Sequence, residues 1–89
     1  MTNVVVNAGT LIKNGVIIKT SSSIDHDCMI DDYANISPNC SLSGNSRIGK
    51  FSHLGTGTFI HTGINIGDNV KTSIGSKIFR NIFNDKIYK

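Results

Sequence analysis

Aliphatic side chains recur at every sixth position along nearly the whole chain. Twelve of the thirteen positions from Val6 to Ile78 in steps of six are Ile, Leu or Val, and the exception is Thr72. We call this position the anchor. The residue two positions before an anchor is mostly small, as at Ser22 and Cys28, and it points to the same side of a strand as the anchor. The pattern therefore predicts short strands that each bury one face.

The position three residues after each anchor predicts a corner. Ten of these thirteen positions are Gly, Asn or Asp, which accept positive φ at low steric cost. Pro38 followed by Asn39 is typical of a type II turn. Three of these six-residue repeats, or hexads, then make a triangular coil of 18 residues, and stacked coils share one core. Val6 and Ile78 are four coils of 18 residues apart, so the sequence predicts an all-β parallel helix of about four coils.

The ends of the repeat set the predicted domain organisation. The hexad pattern supports one repeat domain over residues 1–82 and fails at Asn84, so we expect residues 83–89 to form a short C-terminal tail that caps the last coil. A chain of 89 residues buries little surface on its own, which favours an oligomer over a monomer.

Composition and charge exclude several classes of protein. The net charge of +3 is scattered until the last thirteen residues, which favours anionic ligands over nucleic acid. No apolar run approaches the roughly 20 residues of a membrane span. Cys28 and Cys40 both occupy the small inward position, which predicts core residues, and the absence of a CxxC pair and of a signal peptide fits a cytoplasmic protein.

The polar corner around His26 is the main candidate for chemistry. His26 comes two residues after the anchor Ile24, so its ring must point outward, and Asp27 follows it. A carboxylate beside an imidazole can hold the tautomer and stabilise the imidazolium, as a general base requires. A solvated polar turn is the alternative. His53 and His61 are expected to be outward surface residues, and because the three histidines do not stack we expect no metal site.

The stretch from Ile24 to Ile48 resembles a known family. Its Asp-His-Asp-Cys segment at 25–28, Ile-Ser-Pro at 36–38 and Ser-Gly-Asn-Ser-Arg-Ile-Gly at 43–49 are similar to the sialic acid O-acetyltransferase and UDP-4-amino-sugar N-acetyltransferase family. The resemblance covers roughly residues 3–82. It implies a left-handed β-helix, acetyl-CoA as co-substrate, a sugar or nucleotide-sugar acceptor and a homotrimer whose sites lie between subunits.

The same resemblance implies roles for particular residues. His26 would be the base that deprotonates the acceptor, with Asp27 raising its basicity. Gly44, one coil after His26, would leave room for the thioester and donate its N–H to the developing oxyanion, although a plain turn glycine is the alternative. Coenzyme A would also contact Asn35, Thr56 and Ile74. Relatives often have a second histidine at the position of Asn35 and Ala or Gly near Ile74.

Two functions follow from these observations. The first is an acetyl-CoA-dependent O- or N-acetyltransferase. The second is a truncated or degenerate β-helix with a structural or oligomerisation role, because relatives carry an N-terminal nucleotide-sugar-binding domain and a C-terminal segment that are not found here.

Overall fold

The protein forms fourteen two-residue strands in the part of the chain that the computed structural model describes, residues 4–88. Face A contains β1 (Val5–Val6), β4 (Ser23–Ile24), β7 (Ser41–Leu42), β10 (Phe59–Ile60) and β13 (Lys77–Ile78). Face B contains β2 (Leu11–Ile12), β5 (Met29–Ile30), β8 (Arg47–Ile48) and β11 (Asn65–Ile66). Face C contains β3 (Ile17–Ile18), β6 (Asn35–Ile36), β9 (His53–Leu54), β12 (Lys71–Thr72) and β14 (Ile87–Tyr88).

The strands of each face pair in parallel at an interval of one coil. Ile24 lies beside Leu42 on face A, and Ile30 lies beside Ile48 on face B. Since the chain visits faces A, B and C in turn, it winds into a triangular prism that measures 30 × 23 × 22 Å. The predicted fold class, an all-β left-handed parallel β-helix, is confirmed.

The prism has about five coils, so the predicted number of about four was too low. Four advances of 18 residues separate five stacked strands, as on face A from β1 to β13. The segment predicted as a tail adds β14, which pairs with β12 on face C. The solenoid therefore continues through residue 88.

The anchors fill the interior of the prism. Those from Ile24 to Ile66 are at most 2% exposed, whereas Val6 and Ile12 in the first coil are 42% and 36% exposed. Small hydroxyl residues share this core because most of them donate to a backbone carbonyl, as Ser52 Oγ does to Gly67 O at 2.6 Å. The free thiols of Cys28 and Cys40 are buried as predicted, and burial raises the pKa of both.

The corners have the predicted left-handed backbone. Every position three residues after an anchor has positive φ from Gly9 to Gly75, even Tyr33 (φ 59°) and Phe51 (φ 58°). Asn81 does not, and Asp85 has positive φ instead. The corner after Ile78 is two residues shorter than the others, which explains why the hexad rule fails at Asn84.

No helix within residues 4–88 is long and apolar enough to cross a membrane.

Candidate functional site

His26 lies at the corner between faces A and B, where the chain leaves β4 and enters β5. Its side chain is 57% exposed, and Nδ1 lies 3.3 Å from Oδ2 of Asp27. The backbone carbonyl of His26 accepts a hydrogen bond from the Asn45 N–H of the next coil at 3.1 Å. The predicted pair of imidazole and carboxylate is therefore present on a corner that backbone hydrogen bonds fix in place.

Asp25 is a second carboxylate at this corner, and the sequence pattern did not predict a role for it. Its Oδ1 accepts the backbone N–H of His26 at 2.7 Å and the Asn7 side-chain amide at 3.3 Å. The His26 N–H lowers the pKa of Asp25, and the Asn7 amide and the His26 charge act in the same direction. Asp25 is therefore ionised at neutral pH and fixes the backbone of His26, a role that its place directly before a corner histidine could have indicated.

Gly44 lies directly over the His26 ring. A Cβ built on Gly44 would lie 2.9 Å from both Cε1 and Nε2 of His26, so the close packing of the ring requires a glycine. The N–H of Gly44 has no acceptor within residues 4–88. The equivalent N–H of Thr62, one coil further along the same corner, also has no acceptor there, whereas that of Lys50 at the corner between faces B and C donates to Asp68 Oδ1 at 2.8 Å. The corner at His26 thus combines an exposed imidazole with an unpaired backbone donor.

The other predicted site residues lie on a different side of the prism. Asn35 projects from β6 on face C, and Thr56 and Ile74 stack one coil apart at the corner between faces C and A, where both are exposed. The corner between faces A and B is opposite face C in a triangular prism. The structure therefore groups His26, Asp27 and Gly44 at one corner and does not bring Asn35, Thr56 and Ile74 to it.

Asn35 has an unusual environment. Its Oδ1 is the one buried side-chain polar atom without a hydrogen-bond partner in the described part of the chain. Buried acceptors are nearly always hydrogen-bonded, so Asn35 Oδ1 is an acceptor that no donor in the described part of the chain satisfies.

The remaining histidines are exposed, as predicted. His53 Nε2 lies 3.1 Å from Ser37 Oγ on face C, while His61 packs against Phe59 and Phe79 on face A. Within residues 4–88, no group of three or more His, Cys, Asp or Glu side chains is placed to hold a metal ion.

Solved structures provide the informative comparison. The acetyltransferase domain of PglB from Neisseria gonorrhoeae FA1090 is 42% identical over 89% of this chain, with a TM-score of 0.88. The same domain in complex with acetyl coenzyme A is 39% identical over 94% of this chain, with a TM-score of 0.93. The chain matches the β-helix part of hexapeptide-repeat acetyltransferases. It spans 38% to 41% of the length of the PglB domain.

More distant structures share the fold alone. Serine acetyltransferase 1 from Entamoeba histolytica is 16% identical over 99% of this chain and 39% of its own, with a TM-score of 0.90. PerB from Caulobacter crescentus, in complex with CoA and GDP-perosamine, is 20% identical over 94% of this chain and 49% of its own, with a TM-score of 0.66. Neither a family model nor a curated protein matches the sequence.

Proposed function

We propose that the protein transfers an acetyl group from acetyl-CoA to an amine or hydroxyl of a sugar or nucleotide sugar, with His26 as the general base. The observation that carries this proposal is the His26–Asp27 pair packed beneath the unpaired N–H of Gly44. The likeness to the PglB domain that binds acetyl coenzyme A supports it. The sugar acceptor rests on the resemblance of residues 24–48.

The two nitrogens of His26 have different tasks in this reaction. Nδ1 faces Asp27 Oδ2 at 3.3 Å, which favours the tautomer with the proton on Nδ1 and leaves Nε2 as the base. As the acceptor attacks the thioester carbonyl, Nε2 takes its proton and Asp27 stabilises the resulting imidazolium. The proton then passes to the departing thiolate of coenzyme A, so no acyl-enzyme is required.

Gly44 supports the same step in two ways. It places no side chain between the His26 ring and the substrate, and its N–H can donate to the oxygen that becomes negative as the carbonyl is attacked. A donor of this kind is effective because its direction is fixed, here by Ser46 Oγ, which donates at 2.7 Å to the Ser43 carbonyl of the same peptide group.

The groups that would hold coenzyme A fit an intersubunit groove. Exposed Thr56 and Ile74 form one border, and Asn35 lies on the adjoining face C. The net charge of +3 suits a ligand with several phosphates. Because these residues lie away from His26, we propose that a second copy of the chain in a homotrimer supplies them.

The test is the effect of His26→Ala on acetyl transfer, measured as release of the coenzyme A thiol in the presence of an amino sugar or a UDP-amino sugar. Removal of general-base catalysis is expected to lower the rate by about 10²- to 10⁴-fold while the exposed corner still folds. His53→Ala is the matched control and is expected to have a far smaller effect. Equal losses in both variants, or no loss in His26→Ala, would contradict the assignment and favour a structural role for the β-helix.

A further inference from the structure

Three aromatic rings cluster on the outer surface of face A near its C-terminal end. Phe59 projects from β10, while His61 and Phe79 follow the anchors of β10 and β13. The ring centroids of Phe59 and Phe79 are 5.9 Å apart, and those of His61 and Phe79 are 5.5 Å apart. We call these three residues the aromatic wall.

The aromatic wall leaves ring faces open. Its rings are tilted by 47° to 51° to one another, and Phe79 is 61% exposed. Tyr33 and Phe51, the other aromatic pair, are stacked at 5.4 Å with 12° between their planes, so each ring covers a face of the other. A flat ligand therefore finds an open stacking surface on the aromatic wall, whereas each ring of the Tyr33–Phe51 pair leaves only its outer face to solvent.

Two cations border the aromatic wall. Lys77 lies directly beside Phe59 in the strand register of face A, and Arg80 follows Phe79 in the chain. Both are exposed, and neither forms a salt bridge with any carboxylate within residues 4–88. Their charges are thus available to an anionic ligand beside the rings.

Arg80, which borders the aromatic wall, lies at the same corner of the prism as the proposed base His26. Gly44, Thr62 and Arg80 follow His26 at intervals of one coil, which places Arg80 about 14 Å above His26 along the prism. Arg80 also lies in the shortened corner, where the hexad rule is broken. Departures from a regular pattern of this kind are expected at functional positions.

We propose that the aromatic wall is a binding subsite for a nucleotide, with the base stacked on Phe79 and His61 and the phosphates bound by Lys77 and Arg80. This inference rests on the proposed function, in which two molecules carry a nucleotide. One is coenzyme A, through its adenosine 3′,5′-bisphosphate end, and the other is the nucleoside diphosphate of a nucleotide-sugar acceptor.

Calorimetric titration of the full chain with coenzyme A, adenosine 3′,5′-bisphosphate and UDP tests the proposal. Loss of one base–aromatic contact in Phe79→Ala is expected to weaken binding by about tenfold. Phe83→Ala, which removes a Phe that is 76% exposed on the same terminal coil, is the matched control and should leave the affinity unchanged. Arg80→Gln should reduce the salt dependence of binding. Upfield shifts of the base protons in NMR spectra, lost in Phe79→Ala, would show stacking directly.

The outcomes separate the possible sources of the nucleotide. A loss for coenzyme A and adenosine 3′,5′-bisphosphate identifies the co-substrate end, and a loss for UDP identifies the acceptor. Unchanged binding of all three in Phe79→Ala overturns the subsite and leaves the proposed function intact, whereas failure of the unmodified chain to bind coenzyme A removes the proposed function itself. If Phe79→Ala lowers only the mass measured by light scattering, the rings form a contact between copies and the subsite is wrong.

Discussion

A methyl group on Gly44 would meet the His26 ring at 2.9 Å, closer than real Cβ contacts allow. The backbone of Gly44 does not have positive φ, so alanine is compatible with its conformation. We therefore expect Gly44→Ala to fold with a nearly unchanged melting temperature and to displace the imidazole. Since a displacement of about 1 Å can cost roughly 10²-fold in rate, activity should fall by about that factor.

The double variant His26→Ala/Gly44→Ala provides the control for this prediction. If Gly44→Ala acts by moving His26, then adding it to His26→Ala should produce little further loss, because the two residues act through one step. Multiplicative losses would show that the added methyl group acts independently of the histidine, for example by occupying the space that Gly44 leaves for the thioester.

At the residue scale, part of the site could be predicted from the sequence. The repeat places His26 outward at a corner because His26 lies two residues after an anchor. It places Gly44 over His26 because the two residues are one 18-residue coil apart. The hydrogen bond from the His26 N–H to Asp25 was missed, since the place of Asp25 before a corner permits it but the repeat does not fix the rotamer of that carboxylate. The stacking of Tyr33 on Phe51 depends in the same way on side-chain torsions that the repeat does not fix.

At the scale of the strands, Thr72 is the anchor that breaks the aliphatic rule. Its Oγ1 accepts the Gly55 N–H at 2.9 Å and lies 2.9 Å from Thr58 Oγ1 within the core. Thr72→Val would restore an aliphatic anchor but leave the Gly55 N–H unpaired, which costs about 1–3 kcal/mol. We therefore expect the variant to be less stable in urea denaturation.

Thr20→Val, at an exposed corner position, is the control for this measurement and should change the stability little. If the Thr72→Val protein is as stable as the unmodified chain, or more stable, then burial of the apolar anchor contributes at least as much to the free energy of unfolding as the hydrogen bond does.

The strands themselves were predictable because each hexad carries its own anchor, small residue and corner. The last coil was harder to predict, since the corner after Ile78 is two residues shorter and β14 pairs with β12 in a shifted register. The sequence nevertheless contains a pattern that indicates this coil. Ile82, Asp85 and Tyr88 repeat the spacing of anchor, corner and next anchor with a new phase, which a search in strict steps of six from Val6 misses.

For the whole molecule, the separation of the two groups of predicted site residues is the main argument for an oligomer. His26 and Gly44 lie at one corner, while Asn35 lies on the opposite face, so one copy cannot bring them together. A contact between two different surfaces repeats from copy to copy and closes into a ring when the rotation permits. The resemblance implies three copies, and light scattering should then give three times the chain mass of 9.6 kDa.

Mixed trimers test the shared site directly. His26→Ala removes the base, and Thr56→Glu places a negative charge and extra bulk where a polyanionic ligand would bind, so each homotrimer is expected to be nearly inactive. The two chains are unfolded together and refolded at equal amounts. Every mixed trimer then contains one interface at which one copy supplies an unmodified His26 and its neighbour supplies an unmodified Thr56. Since three quarters of the trimers are mixed, about a quarter of all sites should regain activity. No gain over the separate variants would show that the site does not combine residues from two copies, and a monomeric mass for the unmodified chain would exclude the shared site altogether.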